Sequence, residues 1–351
     1  MLHYKKILTL TLFSLLTACA GNKGVVNSET SQKPVYNVSG SPKFFKQADN
    51  KIALASFRVV FVTEGKRRQT AQTRGRWGST GDAASTATVK TVLSGVDSDL
   101  MQTITDTAYA DFVTALTEKG FEVVPMEQVV ANPAFAKIKK RENGVENVTL
   151  KKVGKLFIDD KEDLSQYPTY SPTGLPLIDT TLFCKHIGSL GNPICLKDAV
   201  NKLGTVALHV NYVVDFSSFE SSSKSGKDFA ANSSYANAKV STGQYLHLKP
   251  GNSGISVMGQ GQSEFMFTLD GQNPYQTNQP FGESVEATSA TDKAVSAFAN
   301  VAGFFGESTK RSDSTVTYEM QAQPDVYKDM VTGMLAASAK ELAANMEYQK
   351  K

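Results

Sequence analysis

Residues 205–217, TVALHVNYVVDFS, set Val206, Leu208, Val210, Tyr212, Val214 and Phe216 on one side of an extended chain. Ala207, His209, Asn211, Val213 and Asp215 fall on the other. A strict period of two over this length predicts a long antiparallel strand buried mainly on one face. An earlier stretch, KIALASFRVVFV (51–62), alternates through Ala53, Ala55, Phe57, Val59 and Phe61 and predicts a second strand. Between them the period changes. In DSDLMQTITDTAYADFVTALTEKG (97–120), Leu100, Ile104, Ala108, Phe112 and Leu116 recur every fourth residue. Asp97 or Ser98 can cap the start, and Gly120 stands where a helix ends in the left-handed conformation. The spacing predicts a helix over 97–119.

Shorter patterns fill the rest. FEVVP (121–125) predicts a strand, and MEQVVANPAFAKIKKR (126–141) a short helix interrupted near Pro133. VTLKKVGKLFI (148–158) reads as one or two strands and LKDAVNKLG (196–204) as one or two helical turns. KVSTGQYLHLK (239–249) and residues 255–272 predict two more strands. The second carries a bulge at Gly259 and Gly261 and closes on the turn Asp270-Gly271. STVTYEMQAQ (314–323) predicts a last strand. The chain then closes with a helix from Pro324, where Tyr327, Val331, Met334, Leu335, Leu342 and Met346 form one stripe with Ser338 inside it. Residues 294–306, AVSAFANVAGFFG, read either as a core helix or as a segment that touches membrane or a neighbouring subunit through Ala297, Ala299, Ala302 and Gly303.

Several stretches have no apolar period. Residues 20–50 are rich in Gly, Ser, Asn and Lys, GKRRQTAQTRGRWGSTGDAAS (65–85) is basic, YPTYSPTGLPLIDTT (167–181) is proline-rich, and 217–238 hold eight serines. The first reads as a tether and the others as loops. No internal repeat is visible. Together the patterns predict an α+β fold with a mixed, largely antiparallel sheet. A long helix from the N-terminal half and a C-terminal helix pack on it. One domain spans 51–351, with irregular insertions at about 142–195 and 217–238.

The start of the chain changes this picture. MLHYKKILTLTLFSLLTA places Lys5 and Lys6 before an apolar run too short to span a bilayer, the layout of a secretory signal peptide. Leu16-Thr17-Ala18-Cys19 resembles a bacterial lipobox, which implies that residues 1–18 are removed and Cys19 is diacylated. Ala20 follows, and by resemblance to sorting rules in double-membrane bacteria this implies the outer membrane, facing the periplasm. Residues 19–50 are then a lipidated tether reaching on the order of 30 Å. Of 37 basic residues two lie in the signal peptide, against 34 acids, so the rest is nearly neutral and does not read as a nucleic-acid binder.

The element order is similar to that of the envelope lipoprotein superfamily of CsgG, the curli secretion channel. LpoB-like domains and the TolB amino-terminal domain share its core. KIALASFRVVF, DLMQTITDTAYADFVTALTEKGFEVVPMEQV, LGTVALHVNYVVDF and PDVYKDMVTGMLAASAKEL carry the likeness. It is one of element order over about half of the folded part, not of invariant residues. It implies a non-enzymatic assembly or scaffold subunit of a secretion, appendage or cell-wall complex, with other envelope proteins or copies of itself as partners. The chain departs from the channel in its two insertions and in lacking two alternating apolar hairpins of the kind that line a transmembrane barrel.

Candidate chemistry is sparse. FCKHIGSLGNPIC (183–195) spaces Cys184 and Cys195 around His186, readable as half a metal site, a thiol pair or a staple. No common zinc module has this spacing and no Cys-x-x-Cys is present. Outside the cytoplasm a disulfide is the simplest state, contributing roughly 3 kcal/mol in the chain-entropy model. No Gly-x-Ser-x-Gly, Walker or His-Glu-x-x-His motif occurs, and no metal or cofactor is expected. Lys66, Arg67, Arg68, Arg74 and Arg76 cluster beside Trp77, the sole tryptophan. They read either as a solvated loop or as a contact for lipid headgroups, peptidoglycan or an acidic partner. Two rival readings remain open. One is a peptidoglycan- or ligand-binding lipoprotein. The other is a periplasmic hydrolase built on a buried polar cluster at His209 or His247.

Overall fold

In the computed structural model, the described residues are 35–40, 50–73, 83–136, 140–144, 166–178, 203–228, 233–258, 264–271, 275–289 and 310–350. The N-terminal half contains β1 (Tyr36–Gly40), β2 (Lys51–Phe61), β3 (Glu64–Thr73), β4 (Ala83–Ser94), α1 (Ser98–Glu118), β5 (Glu122–Val123), α2 (Met126–Ala131), α3 (Pro133–Ala136) and β6 (Lys140–Arg141). Then come β7 (Thr169–Tyr170), β8 (Leu177–Ile178), β9 (Val206–Asp228), β10 (Ser233–Leu248), β11 (Gly254–Met258), β12 (Glu264–Leu269), β13 (Gln276–Thr277), β14 (Gly282–Glu286), β15 (Lys310–Ala322) and α4 (Pro324–Lys350). The fold is mixed α+β.

β9 organises the molecule. Its first half, the alternating stretch, lies between β2, which runs parallel to it, and β11, which runs antiparallel. β12 and then β1 extend the sheet beyond β11, and β5 and β7 flank the far side of β2. The apolar side of this first sheet meets α1. Phe57 stands edge-on to Tyr109, Phe112 and Tyr212, with ring centroids 5.6–5.9 Å apart. Each such side chain, fully buried, contributes about 1.5–3 kcal/mol. α1 is capped as its sequence implies. Asp97 accepts a hydrogen bond from Leu100 N at 2.8 Å, and Gly120 leaves the helix at φ +76. On α4 the stripe Tyr327, Val331, Met334, Leu335, Leu342 and Met346 is buried, and Ser338 within it bonds the hydroxyl of Tyr36 and donates to that of Tyr212.

The second half of β9 runs on past β2 and β11 and pairs with β10 in an antiparallel ribbon of the same sheet, reaching to Asp228 and Ser233. This ribbon lies over a second, four-stranded sheet in the order β14-β15-β4-β3, in which β15 and β4 are parallel. The two layers meet through small side chains: Ala71, Ser85 and Ala87 face Ala236, Ala238 and Val240. Polar bonds cross the seam from Ala238 N to Ser85 Oγ (3.2 Å), from Thr91 Oγ1 to Ser217 Oγ (3.3 Å) and from Thr73 Oγ1 to Tyr235 O (2.9 Å). Gly65 is required here by proximity, since a Cβ would lie 2.5 Å from Thr91 Oγ1 and 2.8 Å from Phe219.

Four expectations change. Residues 217–238, read as a loop inserted in the fold, are the end of β9 and the start of β10 on either side of residues 229–232. Their serines alternate between both faces of a ladder instead of forming an apolar stripe. The basic stretch at 65–85 holds β3 and the start of β4, paired antiparallel. Part of the supposed tether, 36–40, is an edge strand on β12. Residues 255–272 form two strands that pair with each other, so the hairpin lies within this stretch and not at Asp270-Gly271. Cys19, Cys184, His186, Cys195, Arg74, Arg76, Trp77 and residues 148–158, 259–261 and 294–306 lie outside the described residues.

Candidate functional site

The basic cluster is divided by the strand that carries it. Among the described strands β3 pairs only with β4 and is an edge of the second sheet. Successive side chains on a strand point to opposite faces. Arg67 therefore turns inward, where its Nη2 donates to Ser221 Oγ at 3.4 Å, while Lys66 and Arg68 turn outward. All three are exposed. The opposite edge of the sheet, β14, has the other sign. Glu283, Ser284, Val285 and Glu286 are exposed, with Glu283 and Val285 on the outward face and Glu286 on the inward one. Nearby on β15, Glu319 accepts from Ser94 Oγ at 2.6 Å. Among the described residues, one edge strand thus carries three cations and Glu64, and the other two carboxylates and no cation. Sequence reasoning singled out the cations of the first edge, as a loop, but not the second edge, because two glutamates in GESVE gain meaning only once the sheet order sets them opposite β3.

The buried polar cluster around His209 runs across three strands of the first sheet, on the face away from α1. Ser56 of β2 and Ser256 of β11 both stand in register with His209, and Arg58 stands in register with Asn211. Arg58 and His209 are 1% and 2% exposed, and the Arg58 Nη2 donates to His209 Nε2 at 3.0 Å. Burial, then the neighbouring guanidinium, hold the imidazole well below its usual range. It is therefore neutral, with Nε2 the acceptor and the proton on Nδ1. Asn211 Nδ2 donates to Asn252 O at 2.6 Å, which ties the seam to the turn before β11. The ring nitrogen that a general base would use is already engaged with Arg58.

His247 belongs to a second cluster, where β9 passes from one layer to the other. It stands opposite Asp215 next to a register shift in β10. Asp215 Oδ1 accepts from Phe216 N at 2.8 Å and from Ser217 N at 3.3 Å, and Oδ2 lies 3.7 Å from Lys249 Nζ. Burial raises the Asp215 carboxyl, against the pull of His247 and the two amides. Gln244 clamps the next layer by donating to Gly282 O and accepting from Phe281 N, both at 2.9 Å. These groups satisfy the backbone of a strand that runs from the main body of its sheet into the ribbon, and among the described residues no serine is bonded to His247. Among the described residues no group of three His, Cys, Asp or Glu side chains is placed to hold a metal ion.

Comparison with protein-family models, with curated proteins and with solved structures finds no match to this chain.

Proposed function

We propose that this chain is a lipid-anchored, non-enzymatic assembly subunit of the outer membrane. It faces the periplasm and joins a secretion, appendage or cell-wall complex through the two edges of its second sheet. The observation that carries the reading is the pair of oppositely charged edges on one open sheet. β3 offers Lys66, Arg67 and Arg68, and β14 offers Glu283 and Glu286. β3 and β14 run in the same direction within a copy, so β3 of one copy can lie alongside β14 of the next, a head-to-tail contact that repeats. Such complementarity sets register and partner choice. The described strands support a periplasmic wall over a lipid-facing one, since Lys66, Arg68 and Lys90 stand on the outward face where a transmembrane barrel needs an apolar band. Among the described residues no helix is long and apolar enough to cross a membrane, and the lipid on Cys19 supplies the anchor in this reading. A sheet backed by α1 and α4 supports the envelope-lipoprotein likeness.

The test is the size of the detergent-extracted, full-length protein. The wild type is expected as an oligomer. Lys66→Glu with Arg67→Glu and Arg68→Glu is expected to release monomers, as is Glu283→Lys with Glu286→Lys, and both sets in one chain restore assembly. A wild type that runs as a free monomer, or reversals that leave its size unchanged, would remove the reading. If glycan pull-down instead retained the chain through β3, the peptidoglycan-binding alternative would replace it.

A further inference from the structure

A second docking place lies at the other end of the molecule, beside the shortest strand of the first sheet. Among the described strands β5 pairs only with the first residues of β2, through Glu122 N to Asn50 O (3.0 Å) and Val124 N to Ile52 O (2.8 Å). Because alternate residues of a strand turn their peptide groups to opposite sides, the N–H and C=O of Val123 point away from β2. Val123 also lines a groove of about 560 Å³. α1 forms one wall with Tyr109, Val113 and Thr117, the turn from Val124 to Met126 forms the floor, and Glu127 and Thr173 stand at the end. The volume and the mostly apolar lining suit a ligand of a few residues.

The walls are fixed before anything binds. Asp106 accepts from Thr173 N at 2.7 Å and from Thr173 Oγ1 at 2.8 Å, pinning the end of the groove to α1, and Gln102 donates to Asp106 at 3.0 Å. The Tyr109 ring stands edge-on to Phe57 at 5.6 Å, so it too is held. A preformed groove leaves the ordering cost to the incoming chain alone. Among the described lining residues the charged ones are carboxylates, and none is a lysine or arginine. Of its two carboxylates, Glu122 is paired with Lys51 at 2.9 Å, and Glu127 is exposed at the rim. Glu127 is close enough to be felt at the Tyr109 hydroxyl, which burial and this carboxylate together push up to about 12.

We propose that the groove receives an extended peptide of a partner protein, added as a further strand on Val123, with apolar side chains on Tyr109 and Val113 and a basic one on Glu127. The outward peptide group gives two backbone bonds, the apolar wall gives side-chain selection, and Glu127 gives the sign. This is strand addition at a sheet edge, with pockets reading alternate side chains. It uses none of the residues that carry the assembly reading, so either can fail without the other.

The probes are three synthetic hexapeptides added to the full-length protein in detergent. One alternates lysine and valine, one alternates glutamate and valine, and one is the lysine–valine peptide methylated on its central backbone nitrogen. The lysine–valine peptide is expected to bind saturably. The other two are expected to bind about tenfold more weakly, the cost of one hydrogen bond or one charge contact. Glu127→Lys, an exposed substitution that leaves the core untouched, is expected to weaken the lysine–valine peptide by a similar factor, and Lys66→Glu to leave it unchanged. No binding at millimolar peptide would overturn the proposal. So would equal binding of the methylated peptide, or a Glu127→Lys protein that binds as the wild type does.

Discussion

Arg58 and His209 share a hydrogen bond with almost no access to water, so each constrains the charge of the other. The guanidinium stays protonated, and the imidazole must stay neutral to accept from it. Folding therefore favours the neutral ring. The unfolded chain takes up a proton near the usual histidine value of about 6.5, whereas the folded chain resists it until much lower pH. The stability that this pair contributes is full above about 6.5 and is lost as the pH falls through and below that value. Denaturant titrations at pH 8 and pH 5 check it. His209→Gln, which keeps an acceptor but cannot titrate, is expected to flatten the difference, and His209→Ala to cost about 1–3 kcal/mol at pH 8 by leaving one guanidinium bond unmade. His209 was legible in sequence as a polar position on a strand. Its partner was not, because only the parallel pairing of β2 with β9 brings residue 58 to residue 209.

At the scale of elements, the sequence is most readable where one face is apolar and least where both are polar. α1, α4, β2 and the first half of β9 announce themselves through Phe57, Phe112, Tyr212 and Tyr327, which must be hidden in the core. The second half of β9 reads SSFESSSKSGKD, and only Phe219 is large and apolar. It is extended because β10 completes its ladder and because serine and alanine allow a close second layer, and neither cause leaves a period in one segment. β3 is similar. Three successive cations mask an alternation that shows only in Gly65, Arg67 and Ala71 facing the ribbon. The thinness of this contact makes it sensitive to bulk. Gly65→Leu is expected to force the layers apart at Phe219 and to destabilise by about 1–3 kcal/mol, read as a lower denaturation midpoint. Thr70→Val, a change of similar chemistry on the outward face of the same strand, is expected to be within about 0.5 kcal/mol of wild type.

For the whole molecule, the sequence reading of one α+β fold behind a tether meets a structure of three sheets, in which the β9–β10 ribbon of the first lies over the second. The two edges of the second sheet and the groove on the first are separate surfaces, which suits a subunit that meets copies of itself and a different partner together. In the proposed reading, a lipid on Cys19 holds both near the membrane. Cys19→Ser is expected to move the protein from the membrane fraction to the soluble one while leaving its denaturation midpoint unchanged. A cysteine variant that stayed with the membrane would point to protein or direct membrane contacts as the anchor instead.

The way the chain enters the fold decides what a pull on that anchor would do. The segment from Cys19 meets the first sheet at Val35, whose carbonyl accepts from Asp270 N at 2.8 Å, and at Tyr36, whose hydroxyl is held by Ser338 on α4. Behind them lies a ladder of five residue pairs between β1 and β12. Tension drawn from the membrane side is met first by these two bonds, and the ladder beyond them would give way only after they part. If the proposed anchor holds the chain, the hydroxyl of one tyrosine is thus the first link through which mechanical load would pass into α4.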